Sequence, residues 1–320
     1  MWRGIRYIFE KSSFAIAAVL LSLLAVACGT GIEVTDHVTD KDVQRVLEQG
    51  EIRQPSILLT PFDDSLSVWR VGKRFWVADN RVRELMVHQS DYDLDTINLA
   101  GHVLTFQNAV SALSYTGDEN KVDIRFVDEA DSRSYVYRFG MPKEAVGRGV
   151  PLPLLIDIDL VEHYAQQIQG KDYFIRTPIW YDRANEQMMN GRHFVKVHID
   201  SVLPGNVVFP MRLLFTSDTG ERAMVWMTEN TSSMLGRDFD SMFSLNDPHL
   251  SYPTITDATW NLITRSQVVE GMTKEECRLS LGNPKSINER PDQSGMKEYW
   301  YYDGGSYLYF VDGLLNQFRR

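Results

Sequence analysis

Apolar and polar residues alternate through the middle of the chain, and the alternation takes the same form twice. Residues 122–137 align without gaps with residues 211–226. Each segment reads as an alternating strand, an acidic turn and a second alternating strand. A Gly-Lys-x-aromatic sequence stands ahead of each copy, at residues 72–75 and 170–173. The pattern therefore predicts two copies of one β-rich unit.

The repeated unit predicts two tandem small β-barrel or roll modules, over residues 58–153 and 154–247. Pro151 and Pro153 form a stiff, extended connector between them. Seven Trp, fourteen Tyr and fifteen Phe in the chain also favour β structure.

A helical pattern begins after the second module. Thr273 and Glu276 have the spacing of a capping box, in which each side chain satisfies a backbone amide at the start of a helix. Gly282 and Pro284 predict the end of that helix. Thr256 is an N-cap candidate for an earlier helix.

Three runs rich in aromatic and branched residues follow, separated by Asp303-Gly-Gly305 and Asp312-Gly313, which are hairpin signals. Over residues 254–320 this order predicts a two-layer α-α-β-β-β domain, with two helices packed on a three-stranded antiparallel sheet. With the two preceding modules, the predicted fold class is α+β, mostly β.

The run 271–284, Gly-Met-Thr-Lys-Glu-Glu-Cys-Arg-Leu-Ser-Leu-Gly-Asn-Pro, and the aromatic runs 298–302 and 307–311 resemble the BamE (SmpA/OmlA) domain of outer-membrane lipoproteins. The resemblance covers about a fifth of the chain and implies the same two-layer fold. It also implies a role in assembly or scaffolding. The fold recurs in β-lactamase inhibitor proteins, which bind through the sheet. BamE itself is hardly larger than this one domain, so direct equivalence to an assembly-machine subunit does not follow.

The N-terminus has the pattern of an export signal. Three basic residues precede an apolar run over residues 14–27, which is short for a membrane-spanning helix. The run ends in Leu24-Ala-Val-Ala-Cys28, which resembles the lipobox of bacterial lipoproteins. The resemblance implies a signal peptide over residues 1–27 and a lipid on Cys28. The alternative is an ordinary signal peptide followed by a chance cysteine.

The residues after Cys28 bear on localisation. Gly29 stands where an Asp would favour retention in the inner membrane of enteric bacteria, so the resemblance implies an outer-membrane lipoprotein. Lipoproteins exported to the cell surface in Bacteroidota often carry an acidic run there, whereas residues 29–36 are only weakly acidic. We therefore favour the periplasm-facing side over the cell surface. Residues 28–57 are predicted to be a tether that includes one short helix.

Charge and cysteine content exclude some functions. The net charge of -10 argues against a nucleic-acid partner. If Cys28 carries lipid, Cys277 is the one remaining cysteine; the BamE-like family usually has Val or a similar apolar residue at this position, so the resemblance implies that Cys277 is a small buried hydrophobe.

The sequence contains no nucleophile elbow, Walker loop or HExxH motif, and we predict no enzyme activity, cofactor or metal site. His193 and His198 are five apart on a predicted strand, so they point to opposite faces and are expected to be solvated or locally bonded. Asp157 and Asp159 are expected to be solvent-facing charges on a strand.

Residues 91–95 resemble the opening of a calcium loop, with Asp91, Asp93 and Asp95. Thr96 replaces the required Gly, however, and His102 replaces the required Glu. A solvated acidic loop is the prediction there.

The densest aromatic cluster lies in the C-terminal domain. Strand alternation places Trp300 and Tyr302 on one face and their neighbours on the other. We assign Trp300 and Tyr302 to the core, and Tyr299, Tyr301 and Tyr309 to a face that contacts a partner.

These patterns favour a non-catalytic outer-membrane lipoprotein, an envelope scaffold or assembly factor that binds another envelope protein. The alternative is a lipoprotein that binds a glycan or peptide between its β modules. A hydrolase with scattered catalytic residues is a third hypothesis.

Overall fold

The computed structural model describes residues 59–62, 64–88, 93–112, 121–146, 152–229, 236–292 and 295–319. Within them the protein is mostly β, with three antiparallel sheets and a smaller helical part, as the predicted α+β class requires. The predicted barrels are not observed, because none of the three sheets closes on itself in the described residues.

The first sheet has five strands in the order β4-β3-β2-β1-β5. The strands are β1 (Arg74–Val77), β2 (Val103–Ser111), β3 (Val122–Asp128), β4 (Ser134–Phe139) and β5 (Leu155–Asp157). Alternate residues of β3, including Ile124 and Phe126, are fully buried, as the period of two predicts. Helix α1 (Ile158–Ile168) follows β5 directly.

The second sheet has seven strands in the order β12-β6-β9-β10-β11-β7-β8. They are β6 (Asp172–Ile175), β7 (Ile179–Tyr181), β8 (Met188–Asn190), β9 (Val195–Pro204), β10 (Met211–Ser217), β11 (Arg222–Met227) and β12 (Phe243–Ser244). A short helix, α2 (Phe239–Met242), precedes β12.

The two sheets share one topology. In each, a short strand that follows a positive-φ glycine, Gly72 or Gly170, pairs with a long strand, which pairs with the first strand of a hairpin. In each, a later strand returns to pair with the short strand on its other side, as β5 does with β1 and β12 with β6. The predicted hairpins are confirmed as β3–β4 and β10–β11. The second copy differs by the inserted β7–β8 hairpin.

The C-terminal part contains helices α3 (Asp257–Thr264) and α4 (Lys274–Leu281). The predicted capping box of Thr273 and Glu276 is present, and Thr256 caps α3. The sheet that follows has four strands, not three: β13 (Ser286–Asp292), β14 (Gly295–Tyr301), β15 (Tyr307–Val311) and β16 (Leu314–Arg319), in sequence order.

Each sheet has its own cluster of buried apolar side chains. The third cluster also receives Phe194, from the loop before β9, which stacks on Trp260 of α3 with ring centroids 5.6 Å apart. The His193 amide donates to the Thr264 carbonyl at 3.0 Å. The second sheet is therefore joined to the C-terminal helices by packing and by a backbone hydrogen bond.

Candidate binding surface on the C-terminal sheet

The pairing register divides the C-terminal sheet into two faces. Residues opposite each other on neighbouring antiparallel strands share a face. On the side away from the buried cluster, three rows cross all four strands: Ser286–Tyr301–Tyr307–Arg319, Asn288–Tyr299–Tyr309–Gln317 and Arg290–Lys297–Val311–Leu314. We call these twelve residues the outer face.

The inner face forms the core of the C-terminal part. Trp300 is fully buried, as predicted, and the Arg278 guanidinium lies 4.7 Å from its ring centroid. Glu298 is buried beside it and accepts hydrogen bonds from Lys274 and, at 3.2 Å, from the Trp300 indole. Tyr302 is only half-buried, although it packs against this core.

The three predicted contact residues lie on the outer face. The Tyr299 and Tyr309 rings stack on each other across the two central strands, with centroids 4.6 Å apart. Tyr301 is 43 % exposed. Opposite it lies Tyr307, which the sequence analysis did not assign to this face. Strand alternation carried the signal, since Tyr307 and Tyr309 are two residues apart on one strand.

The outer face also carries positive charge that the sequence analysis missed. Arg290, Lys297 and Arg319 belong to it, and none of its twelve residues is acidic. Arg290 and Arg319 form no ion pair with any side chain that the structure describes. Asp292 pairs with Gly295 one step beyond these rows, where only β13 and β14 are paired, so we do not count it in the outer face. The face is thus locally cationic on a chain whose net charge is -10.

A cluster of three carboxylates around Lys73 lies at the start of α1, and it corrects the prediction for Asp157 and Asp159. Asp157 is the last residue of β5 and also caps that helix, and Asp159 lies in the first turn of the helix, so the two carboxylates are not solvent-facing charges side by side on one strand. The Lys73 ammonium donates to Asp64, Asp157 and Asp159 at 2.7–2.9 Å, and only 4 % of its side chain is exposed. Although burial opposes the charge of Lys73, the hydrogen bonds to these carboxylates outweigh it and raise the Lys73 pKa.

A surface cavity of about 300 Å³ adjoins this cluster. Phe62, Trp69 and Val68 line it, together with Asp64 and Asp159. The buried indole nitrogen of Trp69 has no hydrogen-bond partner in the described residues. Aromatic walls with a few polar groups are the usual composition of small-molecule sites.

The histidines differ from the prediction in one case. His198 lies on β9 and is locally bonded to Asp172 at 2.7 Å, as expected. His193 is buried instead, and burial lowers its pKa to about 4.

His102 has a buried carboxylate partner: its Nδ1 lies 2.6 Å from the fully buried Asp128 carboxylate. In a hydrolytic site, a nucleophilic hydroxyl or thiol would be hydrogen-bonded to the other ring nitrogen, Nε2. No described hydroxyl or thiol is within hydrogen-bond distance of His102 Nε2. The contact with Asp128 fixes the orientation of the His102 ring.

The acidic loop is described in part. Asp93 accepts a hydrogen bond from the Asp95 amide at 3.0 Å and caps a 3₁₀ turn, whereas Asp91 lies outside the described residues. Across the described residues, no group of three His, Cys, Asp or Glu side chains is placed to hold a metal ion.

The predicted lipidation site, Cys28, and the signal peptide also lie outside the described residues. Among the helices of the described part, none is long and apolar enough to cross a membrane. Searches of known protein families, of curated proteins and of solved structures found no match to this chain.

Proposed function

We propose that this protein is a non-catalytic, lipid-anchored lipoprotein of the outer membrane that binds another envelope protein through the outer face of its C-terminal sheet. Cys28 carries the lipid, and the folded part faces the periplasm. The protein acts as an envelope scaffold or assembly factor.

One observation carries the proposal. The helices and the buried cluster cover the inner face, while the outer face presents four tyrosines in two adjacent rows. Tyrosine offers a large, rigid contact area with little side-chain entropy to lose, and it is enriched at binding hot spots. The resemblance to the BamE domain supports the same surface, since related folds bind through the sheet.

The test is cross-linking of the tagged, full-length protein in its native membrane. A photo-reactive residue at Tyr301 or Tyr307 is expected to trap one partner. Tyr299→Ala with Tyr309→Ala should reduce its recovery at least tenfold while the melting temperature stays nearly unchanged. The matched control is a photo-reactive residue at Tyr181, on the second sheet, which should not trap this partner. If the double variant recovers the partner as well as the original protein does, the proposal is wrong.

The cavity beside Lys73 favours a second candidate, a lipoprotein that binds a glycan or peptide. Phe62 and Trp69 would provide ring contacts, and Asp64 and Asp159 would provide acceptors. Titration with soluble envelope glycans and with a peptide library, read by tryptophan fluorescence, tests it. Phe62→Ala should weaken any such binding, and Tyr301→Ala should not affect it.

A further inference from the structure

Building on the proposed function, we infer that the outer face takes an extended acidic segment of its protein partner. The segment carries carboxylates about six residues apart and uncharged residues between them. The placement of positive charge on the outer face carries this inference.

The arginines occupy opposite corners of the outer face. Arg290 is on β13 in one outermost row, and Arg319 is on β16 in the other. Three strand spacings of about 4.8 Å and two row steps of about 6.7 Å separate these corners by roughly 20 Å. An extended chain advances about 3.3 Å per residue, so it spans that diagonal in about six residues. A guanidinium binds a carboxylate through two parallel hydrogen bonds, which fixes both ends of such a segment.

The middle of the diagonal is aromatic and uncharged. The stacked Tyr299 and Tyr309 lie there, with Tyr301 and Tyr307 in the adjacent row. These rings supply contact area for uncharged side chains, and their hydroxyl groups form no hydrogen bond with another described residue. A charged residue at the centre of the segment would lose water without gaining a partner.

The size of the outer face selects a segment over a whole domain surface. A standard interface involves about 20 to 30 residues on each side. The outer face has twelve, about half of that number. A loop or terminal segment of a partner matches this footprint better than a second folded surface does.

The charge of the whole chain makes the outer face selective. Asp and Glu outnumber Lys and Arg by 43 to 33, so most of this protein repels an acidic segment. The outer face has the opposite sign and is where such a segment is attracted. Complementary charge of this kind determines orientation and excludes wrong partners more than it raises affinity.

The test uses the full-length protein in detergent and labelled eight-residue peptides whose affinities are measured by fluorescence anisotropy. One peptide has Glu at its first and seventh positions, six residues apart. A second has Lys at these positions, and a third has the two Glu residues adjacent. We expect the first to bind at least tenfold more tightly than the second and severalfold more tightly than the third, and to weaken as salt rises.

Two charge-reversed variants locate the binding. Arg290→Glu with Arg319→Glu should reduce binding of the first peptide at least tenfold. Arg125→Glu with Arg222→Glu makes the same charge change at exposed positions of the other two sheets and should leave binding unchanged. If the outer-face variant binds as the original protein does, or if the first peptide does not bind, the inference is overturned.

Two further results separate this inference from the proposed function. Binding to phosphatidylglycerol vesicles and not to phosphatidylcholine vesicles, with no peptide binding, would show that the cations serve an anionic membrane and would overturn the acidic segment. If the tyrosine variants lose the cross-linked envelope protein while the arginine variants keep it, the proposed function survives and the acidic segment does not.

Discussion

Replacing Lys73 with methionine tests whether the buried ion pairs of Lys73 stabilise the fold. Methionine keeps much of the apolar volume but removes the one ammonium that holds Asp64, Asp157 and Asp159 together. The three carboxylates then lie close to one another without a cation. Burial raises the pKa of Asp157 even beside Lys73, so the variant leaves a largely buried carboxylate without its ion pair.

The size of the expected loss in the free energy of unfolding follows from how exposed the three carboxylates are. Breaking a buried ion pair by removing one partner costs about 3 to 5 kcal/mol. The Asp64 and Asp157 side chains are 16 % and 18 % exposed, whereas that of Asp159 is 46 % exposed and screened by water. We therefore expect a loss near the lower limit, about 3 kcal/mol, which is a large fraction of the 5 to 15 kcal/mol typical of a folded domain.

Urea unfolding at neutral pH, followed by tryptophan fluorescence, measures this loss. Lys196→Met is the control, because both side chains of the Lys196–Asp172 pair are about half exposed, so removing this lysine should cost far less stability than removing Lys73. Asp157→Asn added to Lys73→Met should recover part of the loss, since asparagine is also a good N-cap. Because burial raises the pKa of Asp157, the deficit should shrink as the pH falls and protonation removes the unpaired charge.

Equal, small losses for the Lys73 and Lys196 variants would refute the reasoning. Such a result would mean that water screens the Lys73 cluster as it screens an ordinary surface pair. A deficit that does not change with pH would assign the loss to packing instead of charge.

Four other outcomes are expected. Burial lowers the pKa of His193 from 6.5 to about 4, so the free energy of unfolding should be highest above about pH 6.5 and should fall by about 3 kcal/mol as the pH drops to about 4. Unfolding measured at several pH values should show this decrease, and His193→Leu should lack it. Trp300→Ala should cost about 3 to 5 kcal/mol in the same assay, whereas Tyr301→Ala should leave the melt nearly unchanged, and equal losses would contradict the two-face assignment. Burial raises the pKa of Cys277 to about 12, so a thiol reagent should label it only after unfolding, and rapid labelling of the native protein would contradict its burial. Cys28→Ser should release the protein from the membrane fraction and abolish lipid labelling, and retention in the membrane would contradict the lipoprotein assignment.

The sequence alone determined the features that depend on near neighbours. The capping box at Thr273 and Glu276 and the N-cap at Thr256 appear where the spacing predicted them. The two matching hairpins are also present, because alternation and acidic turns are local signals. Burial of Trp300 followed from the same alternation together with its size.

Only the tertiary structure decided which distant segments meet. Strand β13 has a single aliphatic residue, Ile287, and contains Pro291, so no alternation revealed it; it forms as an edge strand, where a proline is tolerated. Lys73 and Asp157 are 84 positions apart, and no local pattern pairs them.

The composition of the outer face and the open form of the sheets have the same origin. Arg290 and Arg319 share a face because four strands align in one register, and sheet closure depends on the pairing of edge strands. Caps and turns are set by hydrogen bonds within a few residues, whereas register and closure are set by contacts between segments that the chain brings together only on folding.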